Sequence, residues 1–374
     1  MTIDRRDILK AGAALSLAAA LPQLFRMREA GAQDQKIFAP NPSGWRNFEV
    51  VTRVEIVKPD GRVQAWVPVP SVNEAGWFKS GDSTWTGNVK TAALKKDPKY
   101  QAAFVHAEWD EKEPAPVLEV TSRFSTQDRA IDLSKPGKAS PLSSAERKLW
   151  TEATELIPTT GIVKEYADKI TAGAKTDIEK ARKIYDWVVE NSTRDPKTRG
   201  CGTGDVAAML KSGNLTGKCA DLNALYVGLA RAAGLPARDV YGVRVAPSKF
   251  GYKSLGAGSN NITKAQHCRA EVHLDGFGWV AVDPADVRKV VLEEPPANLA
   301  LDDPKVAAAR KALFGGWEGN WLAYNFGHDL QLPGAAGKPV GFLMYPQAQT
   351  ASERLDALDP DGFRYTITVR EIPA

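Results

Sequence analysis

Three cysteines (Cys201, Cys219, Cys268) and four histidines (His106, His267, His273, His328) are the first places to look for nucleophilic or acid–base chemistry in this chain of 374 residues. Cys219 stands in TGKCADLNALYVGLARAAGLPAR, Thr216 to Arg238. After it Leu222, Leu225, Tyr226, Leu229 and Ala233 recur at helical spacing, and Gly234 with Pro236 supplies a stop. Cys219 therefore opens a helix, among backbone N–H groups without intrahelical partners. The partial positive charge there favours a thiolate over a thiol. The same place also suits a small buried apolar residue, which free cysteine often is.

A nucleophilic thiol needs a base to take its proton, and the base needs an acceptor to orient it. QHCRAEVHL and WVAVDPADV read as two strands about a DGFG turn. With a three-residue loop Leu274 pairs with Gly278 and position 267 faces 285. Asp283 then lies on His267's face as its diagonal neighbour, about 7–8 Å away. A two-residue Asp-Gly turn would put Asp283 on the opposite face, so the spacing permits the pair without requiring it. His267 and His273 share a face but are roughly 20 Å apart along the strand, too far to share one metal ion. His273, among polar neighbours, reads as an exposed strand residue. His106 and His328 have no partner pattern. Neither a metal nor an organic cofactor is implied.

The elements that must carry these groups fall into blocks. NFEVVTRVEIVKP alternates apolar and polar residues, Asp60-Gly61 turns it, and RVQAWVPVP returns as a hairpin partner. VLEVTSRFS (Val117–Ser125) is another strand, while Gly76–Asp110 shows no readable pattern. A β-sandwich is expected over 45–132, and Lys135–Pro141 reads as a linker. Helical patterning follows in SSAERKLWTEAT and DIEKARKIYDWVVENS; the second places Ala181, Ile184, Tyr185 and Val188 on one face. The glycine-rich run from Pro247 to Ala265 reads as a surface loop. The expected organisation is a core over 143–295 and a C-terminal extension, 296–374, packed on it.

The order Cys…His…Asp, set in GKCADLNALYVGLARAAGLPAR and HCRAEVHLDGFGWVAVDPAD, resembles the transglutaminase-like superfamily of papain-type cysteine enzymes over about Glu165–Val290. The resemblance implies an α+β fold. A helix carrying the cysteine packs on an antiparallel sheet carrying the histidine and aspartate, behind a β-sandwich. It implies Cys219 as nucleophile, His267 as base and acid, and Asp283 as orienter. Members commonly carry an aromatic residue two positions after the histidine; this chain carries Arg269. Asp221 suits the first turn of any helix. The Cys219 N–H is the natural first oxyanion donor, with Trp187 and Asn214 as guesses for the second. If His267 faces Cys219, the alternating Cys268 faces away, and a Cys201–Cys268 disulfide is expected, against two buried thiols.

Residues 1–32 read as a twin-arginine export signal: Arg5-Arg6, a short apolar run broken by Pro22, and Ala30-Gly31-Ala32 as a cleavage site. The mature chain would be periplasmic or otherwise exported, with no stable membrane span. Its removal lowers the formal charge from +4 to about +2. No basic run with interleaved aromatics points to nucleic acid. The expected activity is attack on a carboxamide or peptide carbonyl, with hydrolysis or amine transfer to follow; hydrolysis is favoured because water is always present. The partner is a protein or peptide substrate, with cell-wall peptides and periplasmic proteins both in reach. The alternatives are a scaffold module with an unused site, and an acyltransferase using an activated donor.

Overall fold

The computed structural model describes residues 37–373, which form one compact unit; the export segment lies outside them. Strands β1 (Arg46–Ile56), β2 (Gln64–Pro68), β3 (Asn73–Glu74), β4 (Phe78–Gly87), β5 (Thr91–Lys96), β6 (Ala103–Glu108) and β7 (Val117–Thr126) come first. Helices α1 (Ser144–Thr151), α2 (Ile162–Thr171), α3 (Asp177–Asn191), α4 (Val206–Ser212) and α5 (Cys219–Ala232) follow. Then come β8 (Ala237–Arg244), β9 (Gln266–Leu274), β10 (Gly278–Val282), α6 (Pro284–Glu293) and α7 (Pro304–Ala312). The last are β11 (Trp321–Asn325), β12 (Gln347–Gln349), β13 (Arg354–Leu355) and β14 (Phe363–Ile372).

Two five-stranded sheets, ordered β14-β1-β7-β4-β3 and β13-β12-β2-β6-β5, share an apolar layer that includes Val54, Ile56, Val67, Val105, Leu118 and Phe363. β1 obeys its alternation, with Phe48, Val50, Val54 and Ile56 inward and Arg53 outward. The expected β1–β2 hairpin does not form. β1 pairs with β7 and β14, whereas β2 crosses to the other sheet between β6 and β12. The reason is burial: all five residues of QAWVP are covered, which a half-exposed hairpin partner would not be. The unreadable Gly76–Asp110 stretch holds β4, β5 and β6. β4 hid because only Phe78 of its ten residues is buried.

The sequence reading packs 296–374 on the core, but its strands divide. β11 joins the core sheet, ordered β10-β9-β8-β11, while β12, β13 and β14 complete the two five-stranded sheets. All fourteen residues of α5 are buried, as expected of a helix enclosed on every side. Each fully buried leucine there, Leu222, Leu225 and Leu229, contributes roughly 1.5–3 kcal/mol. The helix stops where the sequence says: Gly234 is left-handed (φ 84°), and the Leu235 N–H returns to the Ala230 carbonyl.

β9 and β10 meet through the three-residue loop, with Leu274 opposite Gly278. The Pro247–Ala265 run is not simply a surface loop. Tyr252, Leu255 and Ile262 are buried anchors, and the Glu294 carboxylate accepts from the Ser254 N–H and hydroxyl. Its glycines disguise these isolated apolar contacts.

Candidate active site

Cys219 is the first residue of α5 and is buried. Its placement is fixed by the residue two positions on. The Asp221 carboxylate accepts the N–H groups of Thr203 and Gly204 at one oxygen and of Lys218 at the other, each at 3.0 Å. The Ala220 N–H adds a bond to the Cys201 carbonyl at 2.9 Å. The loop before the helix is thus tied to the helix start. Two glycines make room: a Cβ at Gly202 (φ 95°) would come within 1.8 Å of an Asp221 oxygen, and one at Gly217 within 2.4 Å. Asp221 therefore builds the site and does not reach into it.

His267 lies near the start of β9 and Asp283 just past the end of β10, where it also caps α6. The predicted diagonal closes: His267 Nε2 is 2.8 Å from Asp283 Oδ2. The other Asp283 oxygen accepts from the Asp286 N–H at 3.0 Å and from Asn223 Nδ2 of α5 at 3.3 Å. Asp286, unforeseen in the sequence, stands 3.3 Å from the same His267 nitrogen. Its carboxylate is held by Arg244, which also donates to the Leu255 carbonyl. Arg269, where the resemblance led to the expectation of an aromatic, is buried against the rings of Trp317 and Trp321, with Nε 3.8 Å from Asp283. The aromatic surface comes from the C-terminal segment instead.

The ionised groups form a closed account. Asp286 is matched by Arg244 and Asp283 by Arg269, so a protonated His267 would need one further negative charge, which a Cys219 thiolate would supply. His267 is pushed up to about 9: burial and Arg244 oppose this, and Asp286 and Asp283 outweigh them. Cys219 is held well below an ordinary thiol by the Cys201 and Cys268 thiols and by His267, against burial. Cys201 is pushed up by its contact with Cys219 and by burial, and Cys268 by burial and then Cys219. Arg269 is lowered to about 10 by burial. His267, Asp283 and Asp286 have the donor types of a cation site, but the two arginines already neutralise the carboxylates.

Four expectations need correction or replacement. The Cys201–Cys268 disulfide is absent and all three cysteines are free. Cys268, expected to face away, is near enough to Cys219 that its thiol, like that of Cys201, holds the Cys219 thiol down. His273 is buried against Trp279, because β9 is covered on both faces. Trp187 packs on Tyr166, Asn214 serves a local turn with Thr216, and neither lines the cleft. The side chain there with an unused donor is Gln266, whose buried Nε2 has no hydrogen-bond partner among the described residues.

These groups open into a cleft of about 620 Å³, one wall of which comes from Tyr345, Leu358, Phe363 and Tyr365. Residues 164–284, which include Cys219, His267 and Asp283, match the family described as the transglutaminase-like superfamily. The chain belongs to this superfamily. An uncharacterized protein of Haemophilus influenzae is 36% identical over 343 residues, covering 87% of this chain and 91% of its own. A candidate cysteine protease from Cytophaga hutchinsonii shares the fold at 14% identity and a TM-score of 0.50, over 88% of this chain and 99% of its own. Residues 2–22 match the twin-arginine translocation signal, so this transglutaminase-like protein is exported. Among the described residues no helix is long and apolar enough to cross a membrane.

Proposed function

We propose that this protein is a cysteine enzyme that opens a carboxamide or peptide bond through a thioester on Cys219. One observation supports the reading above the rest: His267, with its Nε2 2.8 Å from Asp283 and 3.3 Å from Asp286, lines the same cleft as Cys219 at the start of its helix. The Cys219 sulfur attacks the carbonyl carbon. The oxyanion takes the Cys219 N–H, with the Gln266 amide as second donor. The carbon–nitrogen bond breaks as His267 passes its proton to the leaving amine. His267, now neutral, takes a proton from water as the water oxygen attacks the thioester. Acid is released, and the thiolate–imidazolium pair returns. Hydrolysis is the favoured outcome because water needs no second binding site.

The test is the alkylation rate of Cys219 against pH, with the labelled residue mapped. Cys219 should react near pH 6 much faster than a model thiol, of which only a few per cent is ionised at neutral pH. His267→Ala should remove most of that advantage and Asp283→Ala less. A scaffold with an unused site predicts a slow rate in all three proteins, and that result would end the enzymatic reading.

A further inference from the structure

The side chains around Cys219 carry an unbalanced charge. Six cations, Arg194, Arg199, Lys218, Arg244, Lys264 and Lys289, line the cleft, and no aspartate or glutamate does. The carboxylates that pair with them lie outside the cleft lining and are fewer than the cations. Glu293 serves both Arg194 and Lys289, Asp356 serves Arg199, and Asp286 serves Arg244 while also facing His267. Lys218 and Lys264 have no carboxylate partner among the described residues. Lys218 immediately precedes the nucleophile, and Lys264 lies three residues before His267, so the unpaired charges flank the reacting groups from both sequence blocks. Lys289 is lowered to about 8 by burial and then by Arg244.

The chain as a whole does not have this character. It holds 49 basic and 45 acidic residues, and that near balance makes an all-cationic cleft a local feature of the site. A concave, poorly solvated wall of one sign concentrates ligands of the other. The remaining side chains of the lining include the apolar Leu358 and Phe363 with Tyr365, which leaves the charged groups as the part that selects.

We infer that the acyl donor is an acidic peptide or carboxamide, bearing at least one carboxylate beside the carbonyl that Cys219 attacks and seated against Lys218, Lys264 and the Arg194–Lys289 pair. The inference rests on the nucleophile reading above and adds the substrate class.

Alkylation with reagents of different charge tests it without a known substrate. The rates of iodoacetate (anionic) and iodoacetamide (neutral) at Cys219 are measured on the exported chain and on an uncharged cysteine peptide. At low salt the iodoacetate-to-iodoacetamide ratio should exceed the peptide's by about tenfold, and it should shrink as salt screens the cleft. Lys218→Gln with Lys264→Gln, both on accessible side chains, should lower the ratio several-fold. A ratio at or below the peptide's, or one indifferent to salt and to the double variant, overturns the acidic-substrate inference. That failure is distinct from failure of the nucleophile reading, which would show as slow reaction with iodoacetamide itself.

Discussion

The carboxylate of Asp283 that receives His267 at 2.8 Å also caps α6, and the Asn223 amide from the nucleophile's own helix touches it at 3.3 Å. One side chain therefore joins the helix bearing the thiol, the strand bearing the base and the helix that supplies Asp286. Asp283→Asn keeps the size and most of the capping geometry but offers His267 an amide in place of a charge. It should lower the acylation rate by roughly 10³–10⁴, by analogy with orienting aspartates in other triads. A loss under tenfold would mean that Asp286 suffices.

The ion pair should leave a mark on stability against pH. His267 is raised to about 9, so its contribution is complete below its ordinary value near 6.5 and is lost as pH rises through about 9. Cys219 is lowered, so its contribution is present above the ordinary thiol value near 8.5 and is lost as pH falls through its lowered one. Together the pair exchanges almost no net protons on folding between about pH 6.5 and 8.5, and stability should fall on both sides at up to about 1.4 kcal/mol per pH unit. Urea midpoints at about pH 5, 7.5 and 9.5, wild type against Cys219→Ala/His267→Ala, measure it. A difference that does not vary with pH would refute the pair.

Gln266 lines the cleft, and its buried Nε2 has no hydrogen-bond partner among the described residues. Gln266→Ala should cut kcat by about 10²–10³ while leaving iodoacetamide alkylation of Cys219 near the wild-type rate, because alkylation forms no oxyanion. Equal losses in both assays would assign Gln266 a structural part only.

Arg269 is the departure from the family pattern that folding explains best. Its guanidinium stacks on Trp317 and Trp321, donates to the Glu318 carbonyl at 3.0 Å and balances Asp283. Lysine cannot stack in this way or replace the planar fork. Arg269→Lys keeps the charge but loses the stacking and the bond to Glu318, and should cost on the order of 1.5–3 kcal/mol, read by urea unfolding. A cost under about 1 kcal/mol would show that the aromatic slot is not selective.

Much of the site could be read because its geometry is local. The DGFG loop fixes the β9–β10 register, the register sets His267 against Asp283, and the helix stop at Gly234 and Pro236 places Cys219 at its open end. What escaped is carried by distant pairings. Asp286 reads as an ordinary first-turn residue until Arg244, 42 positions earlier, is seen against it. The aromatic partners of Arg269 lie about fifty residues further on, and the C-terminal cleft wall has no motif at all. Cys268 defeated the strand-alternation argument because that argument considered one face of β9 at a time, whereas both Cys268 and His267 are near enough to lower the Cys219 thiol. β2 was misread as a hairpin partner because a fully buried strand and a half-buried one look alike over five residues.

The pairing of β14 with β1 has a consequence for synthesis. Arg46 and Glu371, joined across these strands, are separated by 325 positions. At 5–20 residues per second, β1 would wait about 16–65 s on the ribosome for its partner, its edge open to pairing by other chains. The same late strand brings Phe363 and Tyr365 to the cleft. A nascent chain long enough to contain Cys219, His267 and Asp283 thus still lacks a wall of its own cleft, and the thiol gains its finished surroundings only after nearly the whole polypeptide has been made.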